Sequence, residues 1–148
     1  MVALKAEAQA FVDKYKLKNY KNENISVFIS GIGKENMQIS TCQVLKNFTD
    51  KDKIINVGIC GASKNYELGE LIDGMEKKIT CVDTQISEDK FDIVDMESAG
   101  FLEATQNIQN RYIFKIVSDH FEPKSVTKDK AKKFIFDKID EIIKRVDG

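Results

Sequence analysis

Apolar residues along the chain recur at two different periods. Leu4, Ala8, Phe11, Val12 and Tyr15 fall at helical spacing and predict an amphipathic first helix with Glu7 near its start. A polar loop from Lys16 to Asn24 leads into Ile25-Ser-Val-Phe-Ile29, which predicts a strand ending at Ser30-Gly-Ile-Gly-Lys34. Met37, Thr41, Val44, Leu45 and Phe48 predict a second helix. Ile54 to Cys60 is almost unbroken in its apolar character, as expected of a strand covered on both faces, and Gly61-Ala62 closes it. Leu71-Ile72 and Lys78 to Val82 are shorter strand candidates. Phe91, Ile93 and Val94 predict the end of a buried strand, after which Ala99, Leu102 and Ala104 begin a helix running to about Ile108. Tyr112 to Val117 predicts a further strand that ends at Ser118-Asp119-His120, and Pro123 breaks the chain. Ala131, Phe134, Ile135, Ile139, Ile142, Ile143 and Val146 predict one long closing helix. Strands alternating with helices imply an α/β fold: a single three-layer domain over residues 1–148, with a mostly parallel central sheet flanked by helices.

Composition narrows the function classes. With 23 basic and 24 acidic residues the formal charge is -1, which leaves no basic footprint for nucleic acid. No stretch approaches the ~20 consecutive apolar residues of a membrane span, and the first residues lack a signal peptide's basic-then-apolar pattern. Cys42, Cys60 and Cys81 form no CxxC pair and sit in apolar patterns, so buried reduced thiols and a cytoplasmic address are expected. No ligand set for a metal and no cofactor motif stands out.

Candidate chemistry gathers at the predicted strand ends. Asp95-Met96-Glu97 falls at a strand-to-helix junction, the kind of place where open α/β sheets bind ligands. Gly31 and Gly33 permit close backbone approach between a strand and a helix, and Gly58 inside a strand implies that something packs near the backbone. If the four main strands are parallel, Ser30 to Gly33, Gly58 to Ala62, Asp95 to Glu97 and Ser118-Asp119 line one edge of the sheet. Each feature alone has an ordinary alternative: Glu7 and Glu97 are also where a helix dipole favours an acid, and His120 sits in a loop.

Taken together, Ser30-Gly-Ile-Gly-Lys34, Asn56-Val-Gly-Ile-Cys-Gly-Ala62, Val94-Asp-Met-Glu-Ser98 and Ser118-Asp119 resemble, in order, the motifs of the purine nucleoside phosphorylase/nucleosidase superfamily. The likeness is greatest to the methylthioadenosine/S-adenosylhomocysteine nucleosidases, in a shortened form. The resemblance implies that Glu97 accepts hydrogen bonds from ribose hydroxyls and that Met96 packs on the sugar. It implies that Asp119 protonates or hydrogen-bonds the purine, with Ser118 beside it, and that Glu7 positions the attacking water. Ser30, Gly31, Gly33 and Gly58 would shape the pocket, and Gln85 would take the place of the aromatic that stacks on the base.

The implied activity is cleavage of the N-ribosidic bond of a purine or 5′-modified purine nucleoside. Superfamily phosphorylases hold phosphate with arginines, one of them at the position of Asn56; the chain has only Arg111 and Arg145, so water is the expected nucleophile. Three departures accompany the likeness. Met1 lies just before the helix carrying Glu7, without the strand that precedes that carboxylate in the family. Ile59 stands where the family has Ser, and the chain is short between Gly69 and Thr80. They leave two alternatives open: a nucleoside-binding or assembly protein without turnover, and a nucleoside phosphorylase. The expected partner is a small-molecule nucleoside, and an open sheet edge would leave room for a homodimer.

Overall fold

Residues 1–148 are described by a computed structural model. Its spine is a pair of long strands, β1 (Ile54–Ala62) and β5 (Arg111–Asp119). They run parallel, with Ile54 opposite Arg111 and Cys60 opposite Val117. Their apolar side chains alternate between two helical layers. Val57, Phe114 and Ile116 face α1 (Lys5–Tyr15), α4 (Lys128–Phe136) and α5 (Ile139–Asp147), where they pack with Ala8, Phe11, Ile135 and Ile142. Ile54 and Ile113 face α2 (Lys34–Leu45) and α3 (Ser98–Ala104), against Met37 and Phe101.

Three short strands complete the sheet: β2 (Leu71–Asp73), β3 (Thr80–Cys81) and β4 (Ile93–Asp95), in the order β2-β5-β1-β4-β3. The β1–β5 and β3–β4 pairs are parallel, and the brief β1–β4 and β2–β5 pairs are antiparallel. The sheet is thus mixed, with helices on both sides.

Four local expectations change. The stretch Ile25 to Ile29 is not a strand and carries only isolated bridges. Its neighbour in the sheet is Met1 to Ala3, long enough for the Val2–Ile29 rung alone, so the ladder stops there. The closing helix is two helices: at Lys138 the N–H bonds back to Ile135, three residues away, which tightens the turn and ends α4. The apolar stripe continues across this break, so periodicity carries no trace of it. β4 runs against β1 rather than with it, so Asp95 to Glu97 reach the site from the opposite direction. Of the three free thiols only Cys60 is buried; Cys42 is exposed and Cys81 half-buried.

Candidate functional site

The site is assembled where β1, β4 and β5 end. Between Cys60 and Gly61 the register with β5 slips, and Gly61 pairs with Asp119 instead of Ser118. An extra residue at such a bulge re-aims the side chains around it. The Ser118 hydroxyl donates to Asp119 Oδ1 at 2.7 Å and lies 3.2 Å from the Cys60 carbonyl. The Glu122 N–H donates to Asp119 Oδ2 at 2.9 Å, across a turn in which Phe121 has a φ of 64°. His120 turns its Nδ1 to the Ala62 carbonyl at 3.0 Å.

Behind these residues lies a buried charge cluster. Lys115 projects from the centre of β5, is 1% exposed, and places its ammonium 3.0 Å from Asp95 Oδ2. Asp95 also accepts from the Ser98 N–H at 2.9 Å and the Ser98 hydroxyl at 2.6 Å, which ties the ion pair to the start of α3. Glu97 Oε2 accepts from the Gly33 N–H at 2.8 Å, and its Oε1 has no protein donor. Burial works against the Lys115 charge, but the carboxylates of Asp95, Glu97 and Glu7 outweigh it and hold the pKa above its ordinary value. Burial raises the Glu97 pKa, opposed by Lys115 and by the Gly33 N–H.

Glu7 is drawn into the same cluster from the first turn of α1. Its Oε1 accepts from the N–H groups of Ala3 and Leu4, at 3.0 and 2.9 Å, groups that a helix start leaves without partners. Its Oε2 accepts from the Ile59 N–H at 2.9 Å. Burial raises its pKa too, against Lys115 and those backbone donors. Gly58 makes the meeting sterically feasible: a Cβ there would sit 3.0 Å from Glu7 Oε2 and 3.2 Å from Lys115 Nζ.

A cavity of about 150 Å³ opens over this cluster, and Glu7, Asp95, Met96, Glu97, Ser118 and Asp119 all line it. Three acids far apart in sequence therefore face one hollow. Gln85 also lines it, beside Val82 and Ile86, and Ile59 forms part of the wall without closing the space. Ser30, Gly31, Gly33 and Gly58 are not in the lining. Ile32 is, standing between Gly31 and Gly33, whose φ values of 86° and 104° shape that turn. Gly33 acts through its bond to Glu97, and Gly58 lies beneath Glu7 and Lys115.

Sequence reasoning passed over Lys115 and the pairing role of Asp95. The available signal was a lone lysine inside an apolar central strand, where an unpaired charge is too costly to bury. No group of three or more His, Cys, Asp or Glu side chains is arranged to hold a metal ion.

No protein-family description matches the chain, and no curated protein matches it by sequence. Solved structures do match in three dimensions. The 5′-methylthioadenosine/S-adenosylhomocysteine nucleosidase of Neisseria meningitidis, in complex with methylthio-immucillin-A, superposes with a TM-score of 0.71 at 15% identity, over 97% of this chain and 96% of that one. The Helicobacter pylori nucleosidase of the same name, with butyl-thio-DADMe-immucillin-A, gives 0.72 at 14% identity, over 99% and 95%. Futalosine hydrolase of Helicobacter pylori gives 0.65 at 14% identity, over 95% of each chain. The chain shares the fold of these solved nucleosidases.

Proposed function

We propose that the protein hydrolyses the N-ribosidic bond of a purine or 5′-modified purine nucleoside. The observation that carries this reading is the convergence of Glu7, Glu97 and Asp119 on one hollow from three separate segments. Glu97 Oε1, without a protein donor, is free to accept from the sugar hydroxyls while Gly33 fixes the other oxygen. Asp119 is fixed by Ser118 and Glu122 at the edge of the hollow, where the base would lie. Glu7 Oε2 has one backbone donor and room for a water.

In the reaction, a water oxygen attacks the anomeric carbon and passes a proton toward Glu7. The bond to the base breaks, its electron pair leaves with the base, and Asp119 delivers a proton to the departing nitrogen. The arginines support water over phosphate as nucleophile. Arg111 bonds the carbonyls of Leu102 and Thr105, and Arg145 pairs with Glu141. The nucleoside analogues named in the neighbouring nucleosidase structures fit the same substrate class.

The test is release of free base from methylthioadenosine, S-adenosylhomocysteine, futalosine and inosine, with and without phosphate. Release independent of phosphate is expected, and Asp119→Asn should lower it by about 10²–10⁴-fold. Release only with phosphate would make the protein a phosphorylase, and an unchanged rate in the variant would remove Asp119 from the chemistry.

A second reading has its own support. The hollow is smaller than the ~300–1,000 Å³ of pockets that enclose a drug-sized ligand, and Ile59 offers no hydroxyl to it. A nucleoside-binding protein without turnover would show thermal stabilisation by nucleosides with no base released, and Glu97→Ala would abolish the shift.

A further inference from the structure

Most polar side chains facing the hollow of about 150 Å³ are already engaged. Asp95 is taken up by Lys115 and Ser98, and Ser118 donates to Asp119. Glu7 accepts from three backbone N–H groups. Glu97 keeps one oxygen, which the nucleoside reading gives to the sugar. Gln85 keeps both its oxygen and its nitrogen, because its exposed carboxamide makes no hydrogen bond to the rest of the chain. Val82 and Ile86, which line the hollow from the same loop, bring only hydrocarbon.

The sheet order sets the side on which Gln85 stands. Across the site the strands run β5, β1, β4, β3. Asp119 ends β5 opposite Gly61, Gly61 pairs with Val94 of β4, and Asp95 pairs with Cys81 at the end of β3. The loop carrying Gln85 leaves from there. It is held at its start, where the Val82 N–H donates to the Asp95 carbonyl at 2.8 Å and Asp83 lies 3.6 Å from the Lys34 ammonium. Asp119 and Gln85 therefore flank a floor made by Gly61 and Val94. That floor is open beside Asp119 because Gly61 has no side chain: a Cβ there would sit 3.5 Å from Asp119 Oδ2 and 3.3 Å from Val94 Cγ2. A planar heterocycle on this floor meets a carboxyl at one edge and a carboxamide at the other.

We propose that Gln85 pairs with the six-membered-ring edge of the base and so admits both 6-amino and 6-oxo purines, an assignment that rests on the nucleoside reading of the hollow. A primary carboxamide carries a donor and an acceptor side by side. Adenine presents an acceptor at N1 and a donor at N6; hypoxanthine presents a donor at N1 and an acceptor at O6. The terminal torsion of glutamine is broad and roughly two-fold. A half-turn of the amide thus converts the pairing for one base into the pairing for the other, and no protein bond holds Gln85 in either sense. A fixed donor or acceptor in this place would select one class, since the wrong base leaves polar groups unpaired. A purine without a 6-substituent can form only one of the two bonds.

The test compares the 5′-methylthio nucleosides of adenine, hypoxanthine and unsubstituted purine on the wild-type chain and on Gln85→Leu. Affinity by calorimetric titration and release of free base are both measured. The wild type should bind the adenine and hypoxanthine compounds with similar affinity, each about tenfold more tightly than the purine compound. Gln85→Leu should remove that advantage and bring all three within about threefold, with circular dichroism unchanged because the residue lies in an exposed loop. Comparing variant with wild type cancels the intrinsic leaving ability of each base, so kcat/KM should follow the same pattern. Binding that discriminates through Gln85 without base release would uphold the assignment and overturn hydrolysis. A wild-type preference of about a hundredfold or more for one 6-substituent, or ratios that Gln85→Leu leaves unchanged, would overturn the assignment and leave hydrolysis to stand on its own base-release result. No binding of any of the three would overturn both.

Discussion

A Cβ at position 58 would meet two charged groups at once, the Glu7 carboxylate and the Lys115 ammonium. Gly58→Ala should therefore cost about 1–3 kcal/mol through overpacking, read as a lower urea midpoint, and should displace Glu7 from the hollow. Lys115 is the larger lever. Its net raised pKa means that its favourable interactions are fully present below the unfolded value of 10.5 and are lost only as pH rises through the higher folded value. Lys115→Met leaves Asp95, Glu97 and Glu7 without their cation and should cost about 3–5 kcal/mol at neutral pH. Glu7 and Glu97 have folded pKa values above 4.5, so the variant should be least impaired near that pH and lose stability as pH rises through the folded values. Urea midpoints near pH 4.5 and near neutrality check the trend. The close packing at Gly58 was legible because a glycine inside an apolar strand has few other uses. The identity of the packed groups was not, since nothing in the local pattern links Gly58 to Glu7 or reveals the register that sets it opposite Lys115.

At the scale of elements, α2 and α3 cross at Gly100, where a Cβ would fall 1.8 Å from the Lys34 carbonyl oxygen. No side-chain rotation relieves a clash with backbone, so Gly100→Ala should force the helices apart. A cost above about 3 kcal/mol is expected, visible in a calorimetric scan. Because α3 starts at the Ser98 that holds Asp95, the same variant should also weaken nucleoside-induced stabilisation. The helices and the two long strands could be read from hydrophobic period, since each buries one clear stripe or two full faces. The failures share a cause: Ile25 to Ile29 has strand composition but lacks a partner long enough to pair with, and the α4–α5 break leaves the stripe intact. Pairing partners and strand direction are tertiary facts, as the antiparallel course of β4 shows.

For the whole molecule, stability should respond to pH through the amino terminus. The Met1 amine falls from 8.0 to about 5 on folding, so between those values the unfolded chain binds more protons and stability rises with pH. The drop of about three units corresponds to ~4 kcal/mol at most, opposed in the lower part of the window by Glu7 and Glu97. Urea midpoints from pH 5 to 8, compared with those of protein carbamylated at this amine, should show a steeper rise for the unmodified chain. The convergence of the three acids was legible from the ordered motifs, whereas the enclosed amine was not: its burial depends on how Met1 docks beside Ile55. That docking has a practical side. Ala3 and Leu4 hold Glu7 through their N–H groups, so any tag fused ahead of Met1 would press on the residues that fix the start of α1. Preparations carrying the handle ahead of Met1 and those carrying it after Gly148 should therefore differ in Tm, and the second arrangement is the one that leaves Glu7 undisturbed.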